Sequence, residues 1–144
     1  MDCPHCTDTV LEFSLPKSYR EPTHLPTHLR DETPDPRGGT ICPHCLSVTL
    51  GATEDAPPLE APRTETISDD FPRTEAGAVP FALTLESCRS LAMNRAVIER
   101  LLEATERAGV DPLLTLDRLL ADPDIEPAVD LERRRHQLEQ FLYD

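Results

Sequence analysis

Two near-identical clusters, Cys3-Pro4-His5-Cys6 and Cys42-Pro43-His44-Cys45, constrain this 144-residue chain more than any other feature of it. A C-x-x-C turn presents two thiolates on one side of the backbone. Two such turns complete the four soft donors that tetrahedral zinc takes at distances of about 2.3 Å. The prolines help fix the turns, and backbone amides inside them donate to the sulfurs and spread their charge. The spacing therefore predicts one zinc ion, Zn2+, held by Cys3, Cys6, Cys42 and Cys45. A chain of this length buries a modest core, so a metal staple is plausible on size alone.

Other uses of the same cysteines fit the surrounding residues less well. Free cysteines packed as small hydrophobes would not be flanked by prolines and histidines, which are poor core material. C-P-H-C is also a redox dithiol of thioredoxin-class oxidoreductases, but that motif lies between a strand and a helix. Here Cys3 has two residues ahead of it and neither cluster precedes a helical pattern. A rubredoxin-like iron site remains a remote alternative. Such sites surround the metal with aromatics, and residues 1–50 contain only Phe13 and Tyr19.

The remaining candidate ligands read as bystanders. His5 and His44 lie inside the clusters, where the thiolates make them unnecessary, and are expected to be exposed. His24 and His28 are four apart, a ligand-like interval, but Pro26 between them prevents the helix that would align both rings. His136 belongs to a solvated helix face. Cys88 reads as a buried apolar residue, because no histidine or acid can be placed beside it from the sequence.

Acidic residues number 27 against 14 basic ones, a net charge of −13, and Lys17 is the single lysine beside thirteen arginines. Such a surplus is expected of a protein working in molar salt, where carboxylates hold water and the Debye length is about 3 Å. The plainer alternative is an acidic protein at ordinary ionic strength. Under either reading a phosphate-tracking surface is disfavoured. Lys17, Arg20, Arg30 and Arg37 face seven acids within residues 1–50. The start shows no basic segment followed by an apolar run, and no stretch of about 18 apolar residues occurs, so no leader or membrane span is expected. An odd cysteine count with four in C-x-x-C pairs suits metal binding in a reducing, cytoplasmic setting.

The pattern along the chain predicts an α+β protein. Residues 1–50 read as a zinc-ribbon module with short β-hairpins near Val10–Phe13, Gly38–Ile41 and Ser47–Leu50, and with a proline-rich loop between the clusters. Residues 51–78 read as an acidic, proline-rich linker whose large apolar groups are Leu59, Ile67 and Phe71. Residues 79–144 read as an edge strand followed by a three-helix unit. Val79, Phe81, Leu83 and Leu85 alternate with Pro80, Ala82 and Thr84, the period of a half-buried strand, and Pro80 confines it to an edge. A first helix is expected from about Ser87 to Ala108, with Cys88, Leu91, Ile98, Leu101, Leu102 and Thr105 on one face and Gly109 as its stop. Asp111-Pro112 should start a second helix and Pro127 a third, with Arg133, Arg134 and Arg135 outside its apolar stripe.

The two Cys-Pro-x-Cys knuckles resemble those of zinc-ribbon proteins. Together with Ser90–Arg95, Gly109-Val110-Asp111-Pro112 and Asp130–Arg134, they make the chain look like a family of small, uncharacterised acidic zinc-ribbon proteins of halophilic archaea. Many zinc ribbons carry glycine after the second cysteine of a knuckle, where this chain has Thr7 and Leu46. The resemblance implies zinc and an interaction or nucleic-acid-binding module, with no established activity to carry over. No nucleotide-binding, hydrolase or metalloprotease motif appears. The expected function is therefore a non-enzymatic interaction or adaptor protein that meets a partner, or a second copy, through its helical region. The alternative is a nucleic-acid-binding regulator using Lys17, Arg20, Arg30 and Arg37.

Overall fold

The computed structural model describes residues 2–6, 8–51 and 55–143. The expected α+β order is the observed one, a small sheet first and helices after it. Strands β1 (Leu11–Ser14), β2 (Gly38–Ile41) and β3 (Val48–Gly51) form an antiparallel sheet in that order. Its register sets Phe13 beside Gly39 and Gly39 beside Leu50, with Leu11, Ile41 and Val48 in the next row. Because strand side chains alternate, these apolar residues share one face. Phe13, Ile41 and Val48 are buried there. The opposite face carries Thr40 and Thr49, whose hydroxyls meet at 2.5 Å.

Both outer edges of the sheet have partners. Beside β1, the amide of Ser14 donates to Pro57 O and the guanidinium of Arg63 donates to Glu12 O. Beside β3, the amide of Val48 donates to Glu86 Oε1 and the hydroxyl of Thr33 donates to Leu50 O. Between β1 and β2 the proline-rich loop holds two short 3-10 turns and helix α1 (Thr27–Glu32). Pro22 opens the second turn and Pro26 immediately precedes α1. At such positions a missing amide leaves no helical bond unmade.

The segment expected as an edge strand is instead the middle of helix α2 (Glu75–Ser87), with Pro80 inside it. The residues between the large side chains, Pro80, Ala82 and Thr84, are themselves small or apolar. The run is thus apolar all round, which is the pattern of a helix enclosed on every side. Every residue from Gly77 to Ser87 is buried. The stretch expected as a linker also packs: it includes a 3-10 turn at Arg63–Thr66, and Leu59, Ile67 and Phe71 are all buried. Phe71 meets Phe81 of α2 edge to face, with centroids 5.5 Å apart.

Helix α3 (Leu91–Arg107) starts later than expected, because Cys88 terminates α2. Its stripe of Leu91, Ile98, Leu101, Leu102 and Thr105 is buried as the periodicity predicts. Buried Asn94 accepts from the amide and hydroxyl of Thr27 and donates to Ser87 O, tying α1 to the end of α2. Gly109 takes the left-handed conformation, at φ 86°. Asp111 caps helix α4 (Pro112–Leu120) by accepting from the amide of Leu114. Helix α5 (Leu131–Tyr143) begins four residues beyond Pro127. The amides of Glu126 and Ala128 donate to His44 O and Cys45 O, which keeps that stretch out of the helix. Arg135 then clamps α5 to α4 through both carboxylate oxygens of Asp117.

Buried side chains from the sheet, from residues 59–71 and from α2 to α5 form one continuous cluster. No helix among the described residues is long and apolar enough to cross a membrane. Phe13 lies across Gly39, where a Cβ would come within 2.8 Å of Phe13 Cζ and 2.9 Å of Thr49 O, whereas a Cβ on Gly51 meets nothing within 4 Å. Gly39→Ala should therefore lower stability by about 1–3 kcal/mol through overpacking. Gly51→Ala should stay within about 0.5 kcal/mol of the parent, both read from urea unfolding at fixed salt.

Candidate metal centre

The first knuckle precedes β1, and the second fills the turn between β2 and β3. Both close in the same way. The amide of Cys3 donates to Asp8 O at 2.7 Å, and that of Cys42 to Ser47 O at 2.9 Å, five residues on in each case. Amides inside the turns point at sulfur, from His5 to Cys3 Sγ and from Cys45 to Cys42 Sγ, both at 3.4 Å.

These two turns bring all four predicted ligands together. The sulfurs of Cys3, Cys6, Cys42 and Cys45 lie within 4.8 Å of one another. The short contacts, Cys3 to Cys45 at 3.5 Å and Cys6 to Cys42 at 3.3 Å, each join one knuckle to the other. A tetrahedron with bonds of about 2.3 Å has edges of about 3.8 Å, so the donor set fits a tetrahedral ion after small adjustments. None of the four is in a disulfide; Cys3, Cys42 and Cys45 are buried and Cys6 is half-buried.

The thiols are not equivalent. Burial works against a thiolate at Cys3, but the amides of His5 and Cys6 and the neighbouring thiols more than offset it, holding Cys3 down at about 7. Burial pushes Cys42 up to about 12. A divalent cation must displace protons from such a set.

Where a glycine is common in zinc ribbons, Leu46 adopts φ 62°. A left-handed non-glycine residue costs about 1–2 kcal/mol. The Leu46 side chain is 3% exposed in the main core, and burying a leucine contributes about 1.5–3 kcal/mol. Burial outweighs the strain. Thr7, the corresponding residue of the first knuckle, lies outside the described residues.

Around the sulfurs are groups that the sequence reading did not single out. Ser47 Oγ lies 3.2 Å from Cys45 Sγ and 3.1 Å from Arg89 Nη2. Arg89 in turn meets Glu86. Nothing in the spacing marks Ser47 or Arg89, but an acid at the end of a long apolar run was a signal that Glu86 has a buried partner. His5 is exposed, as expected. His44 is half-buried, and its Nδ1 donates to Asp124 O at 2.8 Å.

The other histidines lie apart from the tetrad. His28 Nε2 is 2.9 Å from Glu86, His24 stacks edge-on against Tyr19, and His136 is exposed. Cys88 is fully buried at the end of α2, and burial pushes its thiol up to about 12. Of the cations considered for nucleic acid, Arg20 donates to Leu15 O and Arg37 to Asp35.

Sheet, helices and sulfur tetrad together define an α+β protein with a four-cysteine site able to hold one metal ion. A family model described as a family of unknown function (DUF6276) matches residues 2–142, and the chain belongs to that family. Comparison with curated proteins and with solved structures gives no match.

Because the thiols must lose protons to bind, metal uptake near pH 7.5 should release protons, and lowering the pH should weaken binding by up to about tenfold per unit for each proton displaced. Calorimetric titration of Zn2+ into metal-free protein, in buffers of different ionisation enthalpy, measures that release. Uptake without protons would mean that sulfur is not the ligand.

Proposed function

We propose that this is a non-enzymatic zinc-binding protein whose four-cysteine site is structural, and that it serves in the cytoplasm as a protein-interaction or adaptor module. The sulfur tetrad carries the reading: four cysteine sulfurs from two matching turns, three of them buried, at the junction of sheet and helices. A four-thiolate shell leaves no open position for a substrate. Zinc accepts a tetrahedron of sulfur without redox chemistry, which suits a structural role. The acidic surface is read as an adaptation to a salt-rich cell interior.

Partner contact is assigned to the helical region, to another protein or a second copy. Met93 on α3 is 70% exposed and Leu114 on α4 is 45% exposed, the large hydrophobic side chains exposed among the described residues. The nucleic-acid reading has less support, since Arg20 and Arg37 are engaged within the chain and the net charge is −13.

Elemental analysis of protein purified under reducing, high-salt conditions should give one zinc per chain. Replacing Cys3, Cys6, Cys42 and Cys45 by serine should abolish it, together with the sheet signal in circular dichroism. Iron in the native protein, or no metal with a reversible disulfide, would point instead to a redox carrier. A pull-down at native salt that returned only background would count against the adaptor role.

A further inference from the structure

Four thiolates around a divalent cation leave a net charge of −2. The surroundings add more negative charge: Asp8 Oδ2 lies 3.9 Å from Cys6 Sγ, and Glu126 and Asp8 face His44 beside the second knuckle. One guanidinium reaches into this region from the helical half. Arg89, just beyond α2, places Nη2 3.1 Å from Ser47 Oγ and 3.3 Å from His5 Nε2, so it touches both knuckles.

The direction of these bonds matters. A guanidinium only donates, so Arg89 occupies a lone pair of Ser47 Oγ and leaves the hydroxyl proton free. In the structure Cys45, as a thiol, is the donor: its Sγ–H points to Ser47 Oγ at 3.2 Å. Once Cys45 is a thiolate it cannot donate, and the hydroxyl of Ser47 must donate to it. Arg89 therefore orients and polarises an O–H···S bond onto a ligand. The guanidinium is itself held: Nε lies 2.5 Å from Glu86 Oε2, and the Glu86 carboxylate is fixed by the amide of Val48 and by His28 Nε2, both at 2.9 Å.

We propose that Arg89 is a positioning residue of the metal site, acting through Ser47 on the Cys45 thiolate and braced by Glu86. This rests on the reading of the tetrad as a metal site. Outer hydrogen bonds of this kind change metal affinity by about 10–100-fold when removed. Removing a donor also raises the energy of the sulfur lone pair, so sulfur-to-metal charge transfer moves to lower energy.

The test compares the full-length parent with Arg89→Gln, Arg89→Lys, Ser47→Ala and the Arg89→Gln/Ser47→Ala pair. Zn2+ affinity is read by competition with a chromophoric chelator, and Co2+ loading is followed by its thiolate charge-transfer band. Arg89→Gln and Ser47→Ala should each weaken Zn2+ binding by about 10–100-fold. The pair should be little worse than either alone, because both act on one path. Arg89→Lys should recover part of the affinity, and the Co2+ band of each weakened variant should move to longer wavelength. Ser47→Ala removes a single oxygen, so parent-like affinity there overturns the proposal even if Arg89→Gln fails to fold, and Arg89→Lys then carries the test of the guanidinium.

Parent-like affinity in Ser47→Ala, fully additive losses in the pair, or an unmoved Co2+ band would overturn the role of Arg89 while leaving the metal site intact. A parent protein that bound neither Zn2+ nor Co2+ would instead remove the metal reading and this proposal with it.

Discussion

A carboxylate withdrawn from water is costly unless its charge is met on several sides, and Glu86 is 5% exposed. Its two oxygens receive the amide of Val48 from β3, the ring of His28 from α1 and the guanidinium of Arg89 beyond α2. These groups come from three separate stretches of chain, so the carboxylate is satisfied only when sheet, loop helix and helical bundle are all in place. Loss of any one donor would leave a buried charge partly unpaired, a larger penalty than the net gain from an ordinary hydrogen bond. This requirement makes Glu86 a register mark for the assembly.

The hydrophobic counterpart is α2. A helix buried along nearly its whole length from Gly77 to Ser87 needs cover on every side, and no single neighbour supplies it. The residue 59–71 stretch gives Phe71, α3 gives Ile98 and Leu101, and the sheet gives Phe13 and Val48 to the same cluster. The cysteine knuckles sit at the rim of this arrangement with a small cluster of their own. They join it through Leu46, through the hydrogen bonds from Glu126 and Ala128 to His44 O and Cys45 O, and through Arg89.

The clustering of Cys3, Cys6, Cys42 and Cys45 was legible because it is written in spacing: two C-x-x-C turns admit few other arrangements. The α3 stripe, the Gly109 stop and the Asp111 cap were legible for a similar reason, each depending on residues close in sequence. Val79–Leu85 was misread because alternation of large and small apolar residues matches a strand and a fully enclosed helix alike; only the surroundings decide. Leu59, Ile67 and Phe71 were too sparse to announce a core contribution. The start of α5 was misplaced at Pro127, since the carbonyls that hold the preceding stretch belong to residues some 80 positions earlier. Arg89 and Ser47 were not legible for the same reason, their significance lying in tertiary geometry, whereas Glu86 carried a local signal as the acid that closes an apolar run.

The covering of both sheet edges bears on how this molecule meets others. An open strand edge is a template that accepts a strand from almost any chain, because the backbone supplies the bonds whatever the side chains are. Here the outward groups of Glu12, Ser14, Val48 and Leu50 are already engaged by Arg63, Pro57, Glu86 and Thr33. Recognition by strand addition is thus blocked at these positions. A partner that meets the sheet at these positions must read side chains instead, a more discriminating mode.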